Sequence, residues 1–161
     1  HMLDEYLAFA RGEGGEESVP TDLSELVRDA ATASARARRR DLTLAVPDGV
    51  TVSVKGTGLR RCITNLVDNA LKHGSQVAVT LAPSPRLVEI LVEDSGPGIP
   101  EERREEAFRP FHRLDEGRNL QSGGSGLGLA IARDIARAHG GEIVLADSAL
   151  GGLKATIRLP V

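Results

Sequence analysis

Residues 59–73 read LRRCITNLVDNALKH. Apolar side chains recur at Leu59, Ile63, Leu66, Val67, Ala70 and Leu71, the three-and-four spacing that marks one face of a helix. The pattern predicts a helix over 58–73. Asn65, Asn69 and Lys72 fall along the opposite edge, stacked on successive turns by the same spacing. Two carboxamides and an ammonium in a row have an ordinary use as a solvated face. They also suit a Mg2+-bound polyphosphate, because a carboxamide oxygen is a hard ligand and an ammonium offsets phosphate charge.

Upstream, helical spacing at 21–39 turns Leu23, Leu26, Val27 and Ala30 inward, with Thr21 or Asp22 available as cap and Arg36, Arg38, Arg39 and Arg40 loading the C-terminal end. Two short alternating segments, 42–46 and 50–54, flank Pro47-Asp48-Gly49 and predict a hairpin. Downstream, 77–81 and 87–92 read as strands around Pro83-Ser84-Pro85. A short acidic-basic helix is expected near 101–107, a further helix over 126–138, and two last strands at 142–146 and 155–159. Such an order predicts an α/β (α+β) two-layer sandwich: a mixed, largely antiparallel sheet with about three helices on one face. Residues 3–11 place Leu3, Tyr6, Leu7 and Ala10 on one helical face, too short to stand alone. The glycine- and glutamate-rich stretch that follows reads as a linker through residue 20, leaving 21–161 as the domain. His1-Met2 reads as a cloning scar.

The 161 residues fit one domain. A net charge of −3 with intermixed signs gives no electrostatic case for nucleic acid. One cysteine, Cys62, allows no internal disulfide, as suits a reducing cytosol. Aromatics make up only 2 % of the chain, so the core must be aliphatic.

Two glycine motifs carry chemistry. Asp94-Ser95-Gly96-Pro97-Gly98-Ile99 ends a strand in a turn whose glycines permit positive φ and close approach of a ligand. An ordinary strand-terminal turn has the same look, but a buried carboxylate there can also accept a hydrogen bond from an adenine amino group. Gly123-Gly124-Ser125-Gly126-Leu127-Gly128-Leu129 runs straight into an amphipathic helix, where exposed backbone N–H groups and the positive end of the dipole form an anion site. Glycine-rich linkers share that composition without the helix. The spacing matches neither the P-loop nor the dinucleotide fingerprint.

Taken in order, these elements resemble the catalytic ATP-binding domain of sensor histidine kinases of two-component systems, in the osmosensor-like branch. That group shares the Bergerat fold with type II topoisomerases, mismatch-repair ATPases and the large heat-shock chaperone ATPases. Residues 65–73 resemble the asparagine box, 94–98 the first glycine box, Phe108 to Phe111 the phenylalanine box, and 124–129 the second glycine box. Ala138-His139-Gly140-Gly141 and a closing Leu159-Pro160 follow. The resemblance covers about residues 20–161. It implies ATP and Mg2+ as ligands, with Asn69 on the metal, Asn65 supporting it, and Lys72 on phosphate. His73 would lie beside the nucleotide and Asp94 would accept the adenine amino group, selecting ATP over GTP. Gly96, Gly98 and Ile99 would shape that pocket. Arg113 and Arg118 would meet phosphate from a lid over 112–125. The backbone around Gly124, Ser125, Gly126, Leu127, Gly128 and Leu129 would hold the β- and γ-phosphates. Phe108 and Phe111 would anchor the lid or simply belong to the core. Lys55 stands where many relatives have Asp, and Leu153 where a Thr or Ser is frequent.

Hydrolysing relatives place a glutamate one turn before the metal-binding asparagine. Asn65 occupies that position, and an amide is no general base. The resemblance therefore implies a site that keeps the γ-phosphoryl for a histidine on a separate dimerisation domain, for relay to a response regulator. His73, His112 and His139 all lack a phosphoacceptor context, so no catalytic nucleophile is expected in this chain. Residues 3–11 would be the end of the dimerisation helix, the fragment a monomer, and its parent a homodimer anchored in a bacterial inner membrane. A non-catalytic nucleotide-binding module and an anti-sigma-factor-type serine kinase are the competing readings.

Overall fold

The computed structural model describes residues 16–109 and 128–161. Five strands form the main sheet, in the order β2 (Thr43–Ala45), β4 (Val77–Pro83), β5 (Leu87–Asp94), β7 (Leu153–Pro160), β6 (Glu142–Asp147). Only β2–β4 is parallel; the other three pairings are antiparallel. Alternation along the strands decides the faces. Val77, Val79 and Leu81, Val88, Ile90 and Val92, and Leu153, Ala155, Ile157 and Leu159 all point to one side and are buried. Between them Thr80, Glu89, Glu93, Lys154 and Arg158 stay half-buried on the other side.

Three helices cover the apolar side: α1 (Leu23–Ala37), α2 (Gly56–His73) and α4 (Gly128–Ala138). The central one is α2, which packs on β5 with α1 along one flank and α4 along the other. Leu59, Cys62, Ile63, Leu66, Val67, Ala70 and Leu71 are its buried face, as its periodicity predicts. Each fully buried aliphatic side chain of this kind contributes about 1.5–3 kcal/mol. A short 3-10 turn (Glu101–Arg103) leads into the one-turn helix α3 (Arg104–Ala107). The two-layer sandwich is thus as expected, with the helices on one face of a mixed, mostly antiparallel sheet.

The hairpin expected over 42–54 does not form. β2 joins the main sheet beside β4, whereas β3 (Thr51–Val54) pairs antiparallel with β1 (Val19–Asp22) in a separate two-stranded sheet. The reason lies at the start of α1. Asp22 caps that helix, accepting from the Glu25 N–H at 3.0 Å. Immediately after the cap, Ser24 Oγ donates to the Pro47 carbonyl at 2.6 Å and accepts from the Val50 N–H at 3.1 Å. Leu23 N–H takes the Val50 carbonyl at 2.8 Å, and Arg28 donates to the Val46 carbonyl at 2.6 Å. Helix α1 therefore satisfies the turn's polar groups, and the two segments part to different sheets. β1 also takes in Val19 and Pro20, residues of the stretch that reads as linker.

Candidate functional site

Helix α2 brings Asn65, Asn69, Lys72 and His73 to one half-buried edge, as its spacing requires. Its last turn meets the end of β5. Asp94 is the buried carboxylate there, 2 % exposed. Its Oδ1 accepts the Gly96 N–H at 2.8 Å and the Leu153 N–H at 3.3 Å, while its main-chain carbonyl accepts the Gly152 N–H at 3.1 Å. Burying a carboxylate is costly unless hydrogen bonds replace its water, and the Gly96 and Leu153 N–H groups supply two.

Close packing around Asp94 needs glycine. A Cβ on Gly96 would run into the His73 carbonyl, and one on Gly152 into Asp94 itself. Gly98 has φ +70°, the left-handed region where a side chain is strained. Ile99 is buried behind this turn, and its carbonyl accepts from Arg104 Nε at 3.0 Å. The turn is thereby held on both sides. Asp94, Gly96 and Gly98 share one sequence motif, and Gly152 lies outside it. The signal was the Gly151-Gly152 pair ahead of the last strand, whose packing against Asp94 spans almost sixty residues of chain. Leu153 reaches Asp94 through its N–H rather than a side-chain hydroxyl.

On the same edge, Asn65 meets the start of α4. Its Nδ2 donates to the Gly128 carbonyl at 3.3 Å, which ties the α2 ridge to the first residue of α4. Leu129 follows, packed against the core. Phe108, expected either as an anchor or as core, is buried, and the Arg133 guanidinium sits 4.4 Å from its ring centroid. Arg133 also donates to Glu105 at 2.8 Å, so α3 and α4 are braced together. The interaction with Arg133 holds the Glu105 carboxyl below the usual carboxylate range. Phe111, His112, Arg113, Arg118, Gly124, Ser125, Gly126 and Leu127 lie outside the described residues, as does the helix expected over 3–11.

Among the described residues no group of three or more His, Cys, Asp or Glu is placed to hold a metal. Mg2+ needs less than that when it arrives on a polyphosphate, because one or two protein oxygens complete a shell of phosphates and waters. The Asn69 carboxamide, on the edge shared with Lys72, is a donor of that class.

His139 is engaged through both ring nitrogens. Its Nε2 accepts the Lys55 N–H at 2.9 Å and its Nδ1 lies 2.8 Å from the Ile135 carbonyl, which requires the Nδ1–H tautomer. It joins the end of α4 to the start of α2.

Residues 54–161 match the family model described as Histidine kinase-, DNA gyrase B-, and HSP90-like ATPase. The chain is 47 % identical over 106 residues to sensor histidine kinase GtrS of Pseudomonas aeruginosa, covering 66 % of this chain and 22 % of that protein. It is 39 % identical over 158 residues to the sensor-type histidine kinase PrrB of Mycobacterium tuberculosis, covering 94 % of this chain and 34 % of PrrB. The chain thus spans between a fifth and about a third of these relatives. Among solved structures, the ATP-binding domain of PrrB from Mycobacterium tuberculosis superposes with TM-score 0.72 at 34 % identity, over 90 % of this chain and 98 % of that one. The catalytic domain of histidine kinase ThkA gives TM-score 0.76 at 28 % identity, over 89 % and 95 %. By family model, sequence and fold, the chain belongs to the histidine kinase-, gyrase B- and HSP90-like ATPases, as a sensor histidine kinase catalytic domain.

Proposed function

We propose that this domain binds Mg-ATP between the α2 edge and the Asp94 turn, and presents the γ-phosphoryl to a histidine on a separate dimerisation domain. The observation that carries this reading is the junction of the two motifs. A buried carboxylate, fixed by backbone donors on Oδ1, lies against the last turn of a helix that carries Asn65, Asn69 and Lys72. Asp94 receives the adenine amino group, with Gly96, Gly98 and Ile99 shaping its surround, and His73 stands beside the nucleotide. Lys72 meets phosphate. Backbone N–H groups at 124–129, with Arg113 and Arg118, complete the phosphate contacts.

Asn69, supported by Asn65, would hold the metal, and Mg2+ there would offset phosphate charge. Because phosphoryl transfer asks mainly for positioning and charge neutralisation, the domain needs no covalent group of its own. Asn65 offers no base to activate water, so bound ATP is kept for transfer. The acceptor phosphohistidine then serves a response regulator. The parent acts as a homodimer anchored in the membrane with this domain in the cytoplasm; among the described residues no helix is long and apolar enough to cross a membrane.

Asn69→Ala is the direct test. Calorimetry is expected to show Mg-ATP binding lost with the melting temperature retained. Unchanged binding removes Asn69 from the site. Labelled ATP should then pass its phosphoryl to a dimerisation domain supplied in trans, and failure with a binding-competent domain would sink the kinase reading alone.

A further inference from the structure

The basic cluster that ends α1 contains a residue acting on another helix. Helix α1 stops in a Schellman arrangement: the Arg39 N–H takes the Arg36 carbonyl at 3.1 Å, and the Arg40 N–H takes the Ala35 carbonyl at 2.9 Å. Arg39 adopts φ +53° to make this turn. A residue with a Cβ is strained there, where glycine is at ease. The turn sends the next side chain across to α2. Arg40 Nη1 donates to the Leu71 carbonyl at 2.8 Å, and Nη2 to the carbonyls of Gly74 at 2.7 Å and Ser75 at 3.1 Å. A helix leaves its last carbonyls without intrahelical partners, and a cation there also complements the dipole. The planar fork of arginine can serve several carbonyls at once, which an ammonium does poorly.

The segment so held adjoins the Asp94 turn without slack. A Cβ on Gly74 would stand 2.7 Å from Asp94 Cβ and 2.9 Å from the Ser95 nitrogen. The Ser95 N–H donates to the Gln76 carbonyl at 3.1 Å, and Ser95 Oγ accepts the Gln76 N–H at 2.9 Å. Displacing residues 74–76 therefore displaces Asp94 relative to Asn69 and Lys72.

We propose that Arg40 is a positioning residue for the nucleotide: by holding the carbonyls of Leu71, Gly74 and Ser75 it sets the span between the adenine acceptor Asp94 and the phosphate-facing edge of α2. The inference deepens the nucleotide reading above and rests on it. Arg40 itself touches no reacting group. Its effect comes from preorganisation, since a ligand held at both ends loses affinity when the two ends are no longer fixed relative to each other.

The test uses the 161-residue chain with Arg40→Gln, Arg40→Lys and the double variant Arg39→Gly/Arg40→Gln. Amide hydrogen exchange without ligand should rise in Arg40→Gln at 71–76 and 94–96 and stay at the parental level in β6. Mg-ATP should bind about tenfold more weakly, with Arg40→Lys between it and the parent. Arg39→Gly relieves the left-handed residue and should restore melting temperature in the double variant while binding stays weak. Affinity that recovers with the melting temperature overturns the proposal, because Arg40 then acts on global stability alone. Parental affinity in Arg40→Gln also overturns it. Should Arg40→Gln not fold, Arg40→Lys decides by the same two readouts. A parent chain that binds no adenine nucleotide overturns the nucleotide reading instead. The exchange pattern still decides whether Arg40 fixes the two segments to each other.

Discussion

The two oxygens of Asp94 are not equivalent. Oδ1 is taken by the Gly96 and Leu153 N–H groups, so in the proposed reading the adenine amino group is left to Oδ2. In Asp94→Asn the amide oxygen can keep both backbone donors, while the NH2 group meets the adenine amino group donor to donor. A hydrogen bond to a charged group contributes ~1.5–3 kcal/mol, so ATP should bind about tenfold or more weakly with ligand-free melting nearly unchanged. Equal affinity in mutant and parent would exclude Asp94 as the acceptor. Asn65→Glu has a cost visible in the structure. The substitution supplies a carboxylate able to act as a base, but sets it against the Gly128 carbonyl that Asn65 now holds. Weaker ATP binding is expected together with faster phosphate release per bound nucleotide, read in a single-turnover assay. Cys62 is buried between α2 and α4 with its Sγ 3.4 Å from the Ala132 carbonyl, and burial pushes its thiol well above the ordinary range. A thiol reagent should label it only as the protein unfolds; rapid labelling of the folded chain would mean that this seam opens.

Helix α2 begins without a cap of its own. Lys55 stands at the cap position with no side-chain bond, and the first turn holds no acidic residue. The orphan donors are met from outside: Glu16 accepts the Thr57 N–H at 2.9 Å and the Gly58 N–H at 3.0 Å, and His139 accepts the Lys55 N–H. Burial raises the Glu16 pKa, but the backbone bonds outweigh it and hold the carboxyl below its ordinary 4.5. A carboxyl with a depressed folded pKa adds stability above its unfolded pKa and loses it as pH falls through the folded one. Glu16→Gln should therefore lower the melting temperature at neutral pH, with a loss of stability of at most the ~1 kcal/mol of a whole cap, since the amide oxygen can still accept one N–H. That difference should close as pH drops below the ordinary 4.5. A gap that stays constant down to strong acid would show that the charge of Glu16 does not matter.

Across the whole molecule, the expected absence of self-phosphorylation gains a structural reason at one site. Both ring nitrogens of His139 are engaged, with Lys55 and Ile135, so this imidazole is committed to joining α4 to α2. Incubated with labelled ATP, the chain should acquire no acid-labile phosphate, while a dimerisation domain added in trans should. Label mapped to His73, His112 or His139 would place the acceptor within this chain.

How much was legible depends on how far the deciding contacts reach. The faces of α2, β4, β5 and β7 followed from the period of their apolar residues, because burial of one face is written into every third, fourth or second position. The Asp94 motif was legible for a local reason as well, since its own next residues fold back to hydrogen-bond it. The sequence by itself thus determined the helices of the described residues, most of the strands and the family, and it supplied the residues proposed for a nucleotide. Tertiary structure alone decided that 42–54 is no hairpin, that the Arg40 side chain closes α2, that Glu16 caps a helix 41 residues away, and that Gly152 packs on Asp94. Each of these satisfies a backbone donor, a carbonyl or a tight contact with a partner distant along the chain. Local spacing carries no record of which distant group arrives; only packing of the helices on the sheet brings them together.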